Sequence, residues 1–131
     1  VDGSYHSHKA LETAKQLAEC FGSTVWLVHA YKHVSDLHGY DEYERLVARR
    51  EASGQAVLDK AREQFGDIAV TVEEELIEEP AAEAIITVAE TRQADLLVMG
   101  TRGLGALQGL IFGSVSSKVA HYAPCPVMLV R

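Results

Sequence analysis

The stretch from Asp95 to Ser117, DLLVMGTRGLGALQGLIFGSVSS, decides the predicted fold of this 131-residue chain. It opens with an unbroken apolar run, Leu96 to Met99, which is typical of a strand buried on both faces of a sheet. A glycine-rich loop follows, and Gly113-Ser114 then opens a second apolar segment in which Ser114 is placed to cap a helix. A strand, a glycine loop and a helix N-terminus in this order form a layout that holds phosphate, because free N–H groups and the helix dipole favour an anion.

The spacing of the loop distinguishes it from the common phosphate-binding signatures. No Gly-Lys-Ser/Thr follows a four-residue gap, so it is not a Walker A loop. Gly-x-Gly-x-x-Gly is also absent, and the loop lies near the C-terminus and not in the first βα turn, so it is not the dinucleotide fingerprint. The pattern is Gly100, two residues, Gly103, nine residues, then Gly113-Ser114. Gly105 and Gly109 lie between the last two positions and are expected to keep the loop flexible.

Composition and charge narrow the class of protein. The length predicts one domain over residues 1–131, with about two-thirds of the unfolded surface buried. A net charge of −7 argues against nucleic acid as a partner, since phosphate backbones require a basic face. We expect no membrane span and no signal peptide, because no apolar run reaches about eighteen residues. Cys20 and Cys125 are interpreted as reduced, buried thiols of a cytoplasmic protein.

Helical and strand patterns alternate along the chain. Predicted helices run from a cap at Ser4, or alternatively Ser7, to Gly22, from about Asp41 to Gly66, from Pro80 at the first helical position to about Arg92, and from Ser114 to about Tyr122. Predicted strands cover Thr24–Tyr31, Ala69–Ile77, the run ending at Gly100, and Val127–Val130, and a loop covers His33–Tyr40. This alternation predicts an α/β fold, a single-domain open parallel sheet with helices on both faces, and a ligand at the carboxyl ends of its strands.

Two details concern the second strand and the second helix. His29 lies within an apolar strand, so we expect a packed and hydrogen-bonded side chain and not a metal ligand. Ser53-Gly54 interrupts the long helix, which predicts either a kink or a close approach of another element.

The glycine and serine offsets, together with VDGS, LVHA, MGTRG, FGSVS and CPVML, resemble the universal stress protein family, in its ATP-binding subgroup. The resemblance spans nearly the whole chain and implies a Rossmann-like, five-stranded sheet. An Asp-Gly-Ser turn directly follows the first strand in this family, so we expect that strand to be truncated to Val1 here. Glu78 departs from the family pattern, which often has glycine two residues before the helix proline.

Carried over residue by residue, the resemblance implies a site for ATP or another adenine nucleotide, with Mg²⁺ or Mn²⁺. Asp2 would bind the ribose or a phosphate-bound metal, and Ala30 would meet adenine through its backbone. Met99 and Gly100 would line the base and ribose. The triphosphate would be wrapped by main-chain N–H groups and two hydroxyls of Gly103, Gly113, Ser114, Val115 and Ser116. Arg102 offers a nearby positive charge.

Three functions stay open on the residues. The first is a nucleotide-dependent sensor or regulator in the stress response, with weak ATP hydrolysis at most, because the chain offers no evident catalytic base and no P-loop lysine. The second is a dimeric interaction or scaffold protein to which nucleotide is incidental. The third is a nucleotide-dependent transferase or hydrolase, for which no acid–base pair argues. The apolar edge strand Val127–Val130 predicts a homodimer, as the resemblance also implies.

Overall fold

A computed structural model describes residues 1–33, 40–105 and 112–131, with the side chains of Tyr40 and Asp41 left aside. Four helices alternate with four strands: α1 (Tyr5–Phe21), β1 (Val25–Tyr31), α2 (Tyr40–Phe65), β2 (Val72–Glu78), α3 (Ala81–Thr91), β3 (Leu97–Gly100), α4 (Ser114–Tyr122) and β4 (Val127–Val130). The predicted α/β alternation is therefore confirmed. The predicted loop from His33 to Tyr40 falls almost entirely outside the described residues, as does Gly109.

The strands form two parallel pairs. β1 pairs with β2 from Val25↔Val72 to Tyr31↔Glu78, and β3 pairs with β4 from Leu97↔Val127 to Gly100↔Val130. The five-stranded sheet thus stays a prediction, because the described residues contain four strands in two separate sheets. Val1 is not part of a strand, but its amino nitrogen donates to the carbonyl oxygen of Val28 at 2.5 Å.

Helices cover both faces of the β1–β2 pair, as predicted. Successive strand residues point to opposite faces. The Trp26 ring lies 4.1 Å from the guanidinium carbon of Arg92, which follows α3. The next residue, Leu27, packs instead in a buried cluster with Leu58 and Phe65 of α2. This cluster is the main hydrophobic core, and α1 joins it through a further leucine.

The helix boundaries follow from local chemistry. Ser4 caps α1 as predicted, since its hydroxyl accepts the N–H of Ser7 at 3.2 Å. Gly22 ends α1 in the left-handed conformation (φ 62°), and Gly66 has φ 64° just after α2. The prediction for Pro80 was wrong by one residue, because Pro80 is the N-cap of α3 and not its first helical residue.

Ser114 was wrongly predicted to cap α4. The N-cap is Gly113, which has an extended backbone (φ −81°, ψ 166°), and Ser114 is the first helical residue. The side chain that serves the N-cap belongs to the third helical residue: the Ser116 hydroxyl accepts the N–H of Gly113 at 3.0 Å. The physical reason is that a glycine can occupy the N-cap when a later hydroxyl accepts its amide hydrogen.

The last turn of α1 also differs from the prediction. Cys20 is exposed and not buried, because it lies two residues after the buried Ala18 and so points about 200° away from it. Phe21 shares the apolar stripe of Ala18, yet it is 77% exposed. The core-facing stripe of α1 is therefore covered only as far as Ala18. The described helices include none that is both long and apolar enough to cross a membrane.

Candidate functional site

The N-terminal turn brings Asp2 to the glycine loop that follows β3. Gly3 adopts φ 77°, which turns the chain sharply, and Asp2 Oδ1 accepts the N–H of Ser4 at 2.9 Å. The other carboxylate oxygen, Oδ2, accepts the N–H of Leu104 at 3.3 Å. This hydrogen bond joins Asp2 to Leu104, which lies 102 positions later in the chain.

Gly103 lies directly against this carboxylate. A Cβ atom built at Gly103 would collide with Asp2 Oδ2, so any other residue would displace either the carboxylate or the loop. The close approach of a loop backbone to a side-chain oxygen is one of the situations that favour glycine. Gly105 differs, because a Cβ atom there would have no atom of the described residues within 4 Å.

The start of α4 is tied to the same loop. Thr101, directly after β3, uses its carbonyl oxygen to accept the N–H of Gly113 at 2.8 Å and the Ser116 hydroxyl at 2.7 Å. Its own N–H donates to Val130 of β4 at 2.9 Å. The end of β3 and the N-terminus of α4 are therefore bonded directly to each other through Thr101.

The first turn of α4 presents main-chain N–H groups at this place. The amides of Ser114, Val115 and Ser116 are the donors that an α-helix leaves without an intrahelical partner. Ser114 is exposed and Val115 is half-buried, whereas Ser116 is 2% exposed. The Ser116 hydroxyl is engaged inside the protein by Thr101 and Gly113, so it is not free for a ligand as the sequence interpretation required.

Two buried side-chain atoms beside the loop lack hydrogen-bond partners. Within the described ranges, neither Thr101 Oγ1 nor Arg102 Nε is paired, although both are shielded from solvent. Buried polar groups are almost always paired, so such atoms indicate a missing ligand or water. Both lie in the segment between β3 and Gly103, where the sequence predicts phosphate.

The remaining predicted residues lie at the carboxyl ends of β1 and β3. Ala30 is the next-to-last residue of β1, and Met99 and Gly100 end β3; all three are half-buried. Gly100 also has a packing role, because a Cβ atom there would lie 2.7 Å from the Cβ of His6 in α1 and 2.8 Å from its carbonyl carbon. The Val1–Asp2 segment connects the middle of β1, at Val28, to the loop after β3, at Leu104.

Tyr31 lies at the same end of β1, immediately after Ala30. Burial raises the pKa of its phenol, and the nearby carboxylates of Glu51 and Glu78 raise the same pKa further. The phenol stays protonated at neutral pH and donates to Glu51 Oε1 at 3.3 Å. No group of three or more potential metal-ligating side chains (His, Cys, Asp or Glu) occurs in the part of the chain described here.

Three residues that organise the site were not predicted as part of it: Thr101, Leu104 and Ser7. All three act through hydrogen bonds to the main chain or from it, and only the position of Thr101, directly after the apolar run, gave a signal. Ser7 accepts the N–H of Asp2 at 3.2 Å, and His29 Nδ1 lies 2.7 Å from the carbonyl oxygen of Val1. The prediction that His29 is packed and hydrogen-bonded is confirmed.

Comparisons with known proteins agree with this fold. The family model described as the universal stress protein family matches residues 1–131. A universal stress protein of Thermus aquaticus is 43% identical over 131 residues, which are 99% of this chain and 93% of that protein. Among solved structures, the universal stress protein UspA from Lactobacillus plantarum superposes with a TM-score of 0.83 at 19% identity, covering 100% of this chain and 93% of that one. A universal stress protein in complex with cAMP has a TM-score of 0.75 at 27% identity, covering 100% and 92%.

The sequence match and the site geometry lead to one assignment. Parallel strand pairs that alternate with helices, with a glycine-containing segment between β3 and α4, define a class of α/β proteins. Within this class, the chain belongs to the universal stress protein family.

Proposed function

We propose that this chain is an adenine-nucleotide-binding regulator, with ATP as its ligand. The observation that carries the proposal is the convergence of Asp2, the Gly103–Leu104 loop and the first turn of α4, joined by the bonds from Leu104 to Asp2 and from Gly113 to Thr101. A related protein, 27% identical, has been solved with cAMP, which supports adenine nucleotide as the ligand class.

The phosphates would lie against the amides of Ser114 and Val115. The helix dipole and amide hydrogens attract an anion there, and Gly103 lets the loop backbone approach closely. Thr101 Oγ1 and Arg102 Nε, both without a partner in the described residues, are available to such a ligand. The residues present therefore fit a nucleotide, with Ser116 contributing its main-chain N–H and not its hydroxyl.

Asp2 would serve the ribose or a divalent cation. An ionised carboxylate has about four acceptor positions, and the amides of Ser4 and Leu104 occupy two. Mg²⁺ is commonly held by one or two carboxylates together with substrate phosphates, so one carboxylate is sufficient in number. When bound, Mg²⁺ or Mn²⁺ would neutralise phosphate charge. We propose regulation and not efficient catalysis, because Asp2 is engaged by amides and the sequence has no P-loop lysine.

The contrast between two glycines of the loop tests this proposal. Gly103→Ala places a methyl group against Asp2 Oδ2, whereas the methyl group of Gly105→Ala has none of the described residues within 4 Å. We expect saturating Mg-ATP, at about a hundred times Kd, to stabilise the wild type and Gly105→Ala by about 2.7 kcal/mol in thermal melts. Gly103→Ala should lose at least tenfold in affinity. Equal melting shifts for all three proteins would contradict the placement of the ligand.

A specific surface feature supports the homodimer as well. β4 pairs with β3 along one side, and on the described residues its other side has no strand partner. Met128 on this strand is 38% exposed and Leu96, just before β3, is 39% exposed. We propose that a second copy pairs at this edge, as unprotected edge strands tend to do. Light scattering at tens of micromolar should give the dimer mass, and Met128→Lys should give the monomer; a monomer for the wild type would refute the proposal.

The two cysteines bear on where the protein is located in the cell. Both cysteines, Cys20 and Cys125, are free thiols, and we propose a cytoplasmic protein on that basis. Residues 1–131 would act as one domain, and neither nucleic acid nor membrane is proposed as a partner.

A further inference from the structure

The peptide group between Val1 and Asp2 is held on both sides. Its carbonyl oxygen lies 2.7 Å from His29 Nδ1, and its N–H donates to the Ser7 hydroxyl at 3.2 Å. A carbonyl can only accept, so Nδ1 must carry the hydrogen in this bond. Because a peptide group is planar and rigid, the two bonds together set its orientation.

The His29 ring is itself held against helix α2. A Cβ atom built at Gly54 would lie 3.0 Å from His29 Cδ2 and 2.6 Å from Cδ1 of Leu76. His29 and Leu76 are partners in the register of β1 and β2, so they lie side by side under the helix. Glycine in a helix interior costs about 1 kcal/mol relative to alanine, and here it provides the room that these two side chains need. Of the predicted alternatives for Ser53-Gly54, the structure shows the close approach.

These contacts form a chain from α2 to the candidate site. The helix backbone at Gly54 lies close to the His29 ring. The ring donates to the carbonyl oxygen of Val1, and Val1 is followed directly by Asp2. The Asp2 carboxylate then reaches the N–H of Leu104 at 3.3 Å, which is near the limit of a hydrogen bond. A small rotation of the Val1–Asp2 peptide would therefore break the contact between the carboxylate and the loop.

We propose that His29 is a positioning residue for Asp2, and that Gly54 allows it to act. His29 does not touch the ligand in this scheme; it orients the peptide that carries the carboxylate. The effect on nucleotide affinity rests on the proposed function, whereas the effect on the Asp2–Leu104 contact does not require a ligand.

Two substitutions of His29 separate positioning from packing. The side-chain amide of His29→Asn places an N–H donor close to the position of Nδ1, whereas His29→Leu keeps apolar bulk and removes the donor. Leu76→Val is the matched control, because it loosens the same contact with Gly54 without touching Val1. Hydrogen exchange of the Leu104 amide reports the contact with Asp2 in the absence of nucleotide. Calorimetric titration with Mg-ATP reports affinity.

We expect His29→Leu to speed exchange of the Leu104 amide and to weaken nucleotide binding, each by about tenfold. His29→Asn should recover most of both effects. Leu76→Val should lower the melting temperature while leaving Leu104 exchange and affinity close to the wild type. In an Asp2→Ala background, His29→Leu should cause no further loss of affinity, since its effect passes through the missing carboxylate.

Several results would overturn the inference. Equal behaviour of His29→Asn and His29→Leu would show that the donor is irrelevant, and equal behaviour of His29→Leu and Leu76→Val would show a packing effect alone. If His29→Leu fails to fold, the ring ¹⁵N shifts of the wild type decide: hydrogen on Nδ1 supports the inference, and hydrogen on Nε2 alone refutes it. A wild type that binds no nucleotide would refute the proposed function, while Leu104 exchange would still test the positioning.

Discussion

Gly100→Ala tests how closely α1 packs against β3. A Cβ atom at this position would lie 2.7, 2.8 and 2.9 Å from the Cβ, carbonyl carbon and carbonyl oxygen of His6. Two of these atoms are backbone, so a side-chain rotation cannot relieve the contact. To restore ordinary separation, α1 must move away from β3 by roughly 0.7 Å. Overpacking of this kind costs about 1–3 kcal/mol, and we expect about 2 kcal/mol for Gly100→Ala.

Urea unfolding followed by Trp26 fluorescence measures this cost, since Trp26 is the one tryptophan of the chain and stacks on Arg92. Gly105→Ala is the control, because a methyl group there contacts no residue in the described ranges. A destabilisation of 2 kcal/mol corresponds to a fall of roughly 8 °C in melting temperature for a domain of this size. A Gly100→Ala variant as stable as Gly105→Ala would refute the packing of α1 on β3.

Three further predictions follow from single contacts. Ser116→Ala removes the hydroxyl that serves both loop and helix; we expect about 2 kcal/mol of lost stability in urea melts, and no loss would contradict the bonds. The hydrogen bond from Lys118 lowers the pKa of the Glu83 carboxyl. This bond therefore stabilises the folded state above the ordinary pKa of 4.5, and the stabilisation is lost as the pH falls through the lowered pKa of the folded state. The stability difference between wild type and Glu83→Gln should therefore vanish in acid, and a pH-independent difference would contradict the pair. Burial raises the pKa of the Cys125 thiol, so iodoacetamide at pH 7.5 should alkylate the exposed Cys20 first, as mass mapping would show; the reverse order would contradict the burial.

The sequence predicted the elements well because their end signals are local. Gly22 and Gly66 mark helix ends where the chain needs a left-handed residue, and Ser4 caps a helix through its own neighbour Ser7. The bounds of β4 were predicted to the residue and those of α4 to within about one residue, with Pro124 and Pro126 between the two elements. Each of these signals depends on a few adjacent residues, so a single sequence contains it.

The site was predictable as a place, but its internal bonds were not. The strand–loop–helix pattern indicated the region of Gly103 and Gly113, whereas the use of the Ser116 hydroxyl by Thr101 depends on how α4 docks on the sheet. Likewise, nothing local shows that Asp2 reaches Leu104 or that His29 reaches Val1. These bonds join distant segments, and only the folded arrangement decides which donor meets which acceptor.

The sheet illustrates the same limit. The apolar patterns predicted each strand, and the alternation of strands with helices predicted a parallel sheet. The parallel pairing of β1 with β2 and of β3 with β4 agrees with that prediction. The strand patterns do not show how the β1–β2 pair lies relative to the β3–β4 pair. In the structure, the Val1–Asp2 segment bonds to β1 at Val28 and to the loop after β3 at Leu104.

Calorimetric titration of the purified 131-residue chain with ATP, in the presence of Mg²⁺, tests the central claim most directly. The account predicts saturable binding with one nucleotide per chain, weakened at least tenfold in Gly103→Ala and unchanged in Gly105→Ala. No heat of binding and no change in melting temperature at millimolar ATP would contradict it. In that case, the interaction surface at β4 would become the better explanation of what this fold does.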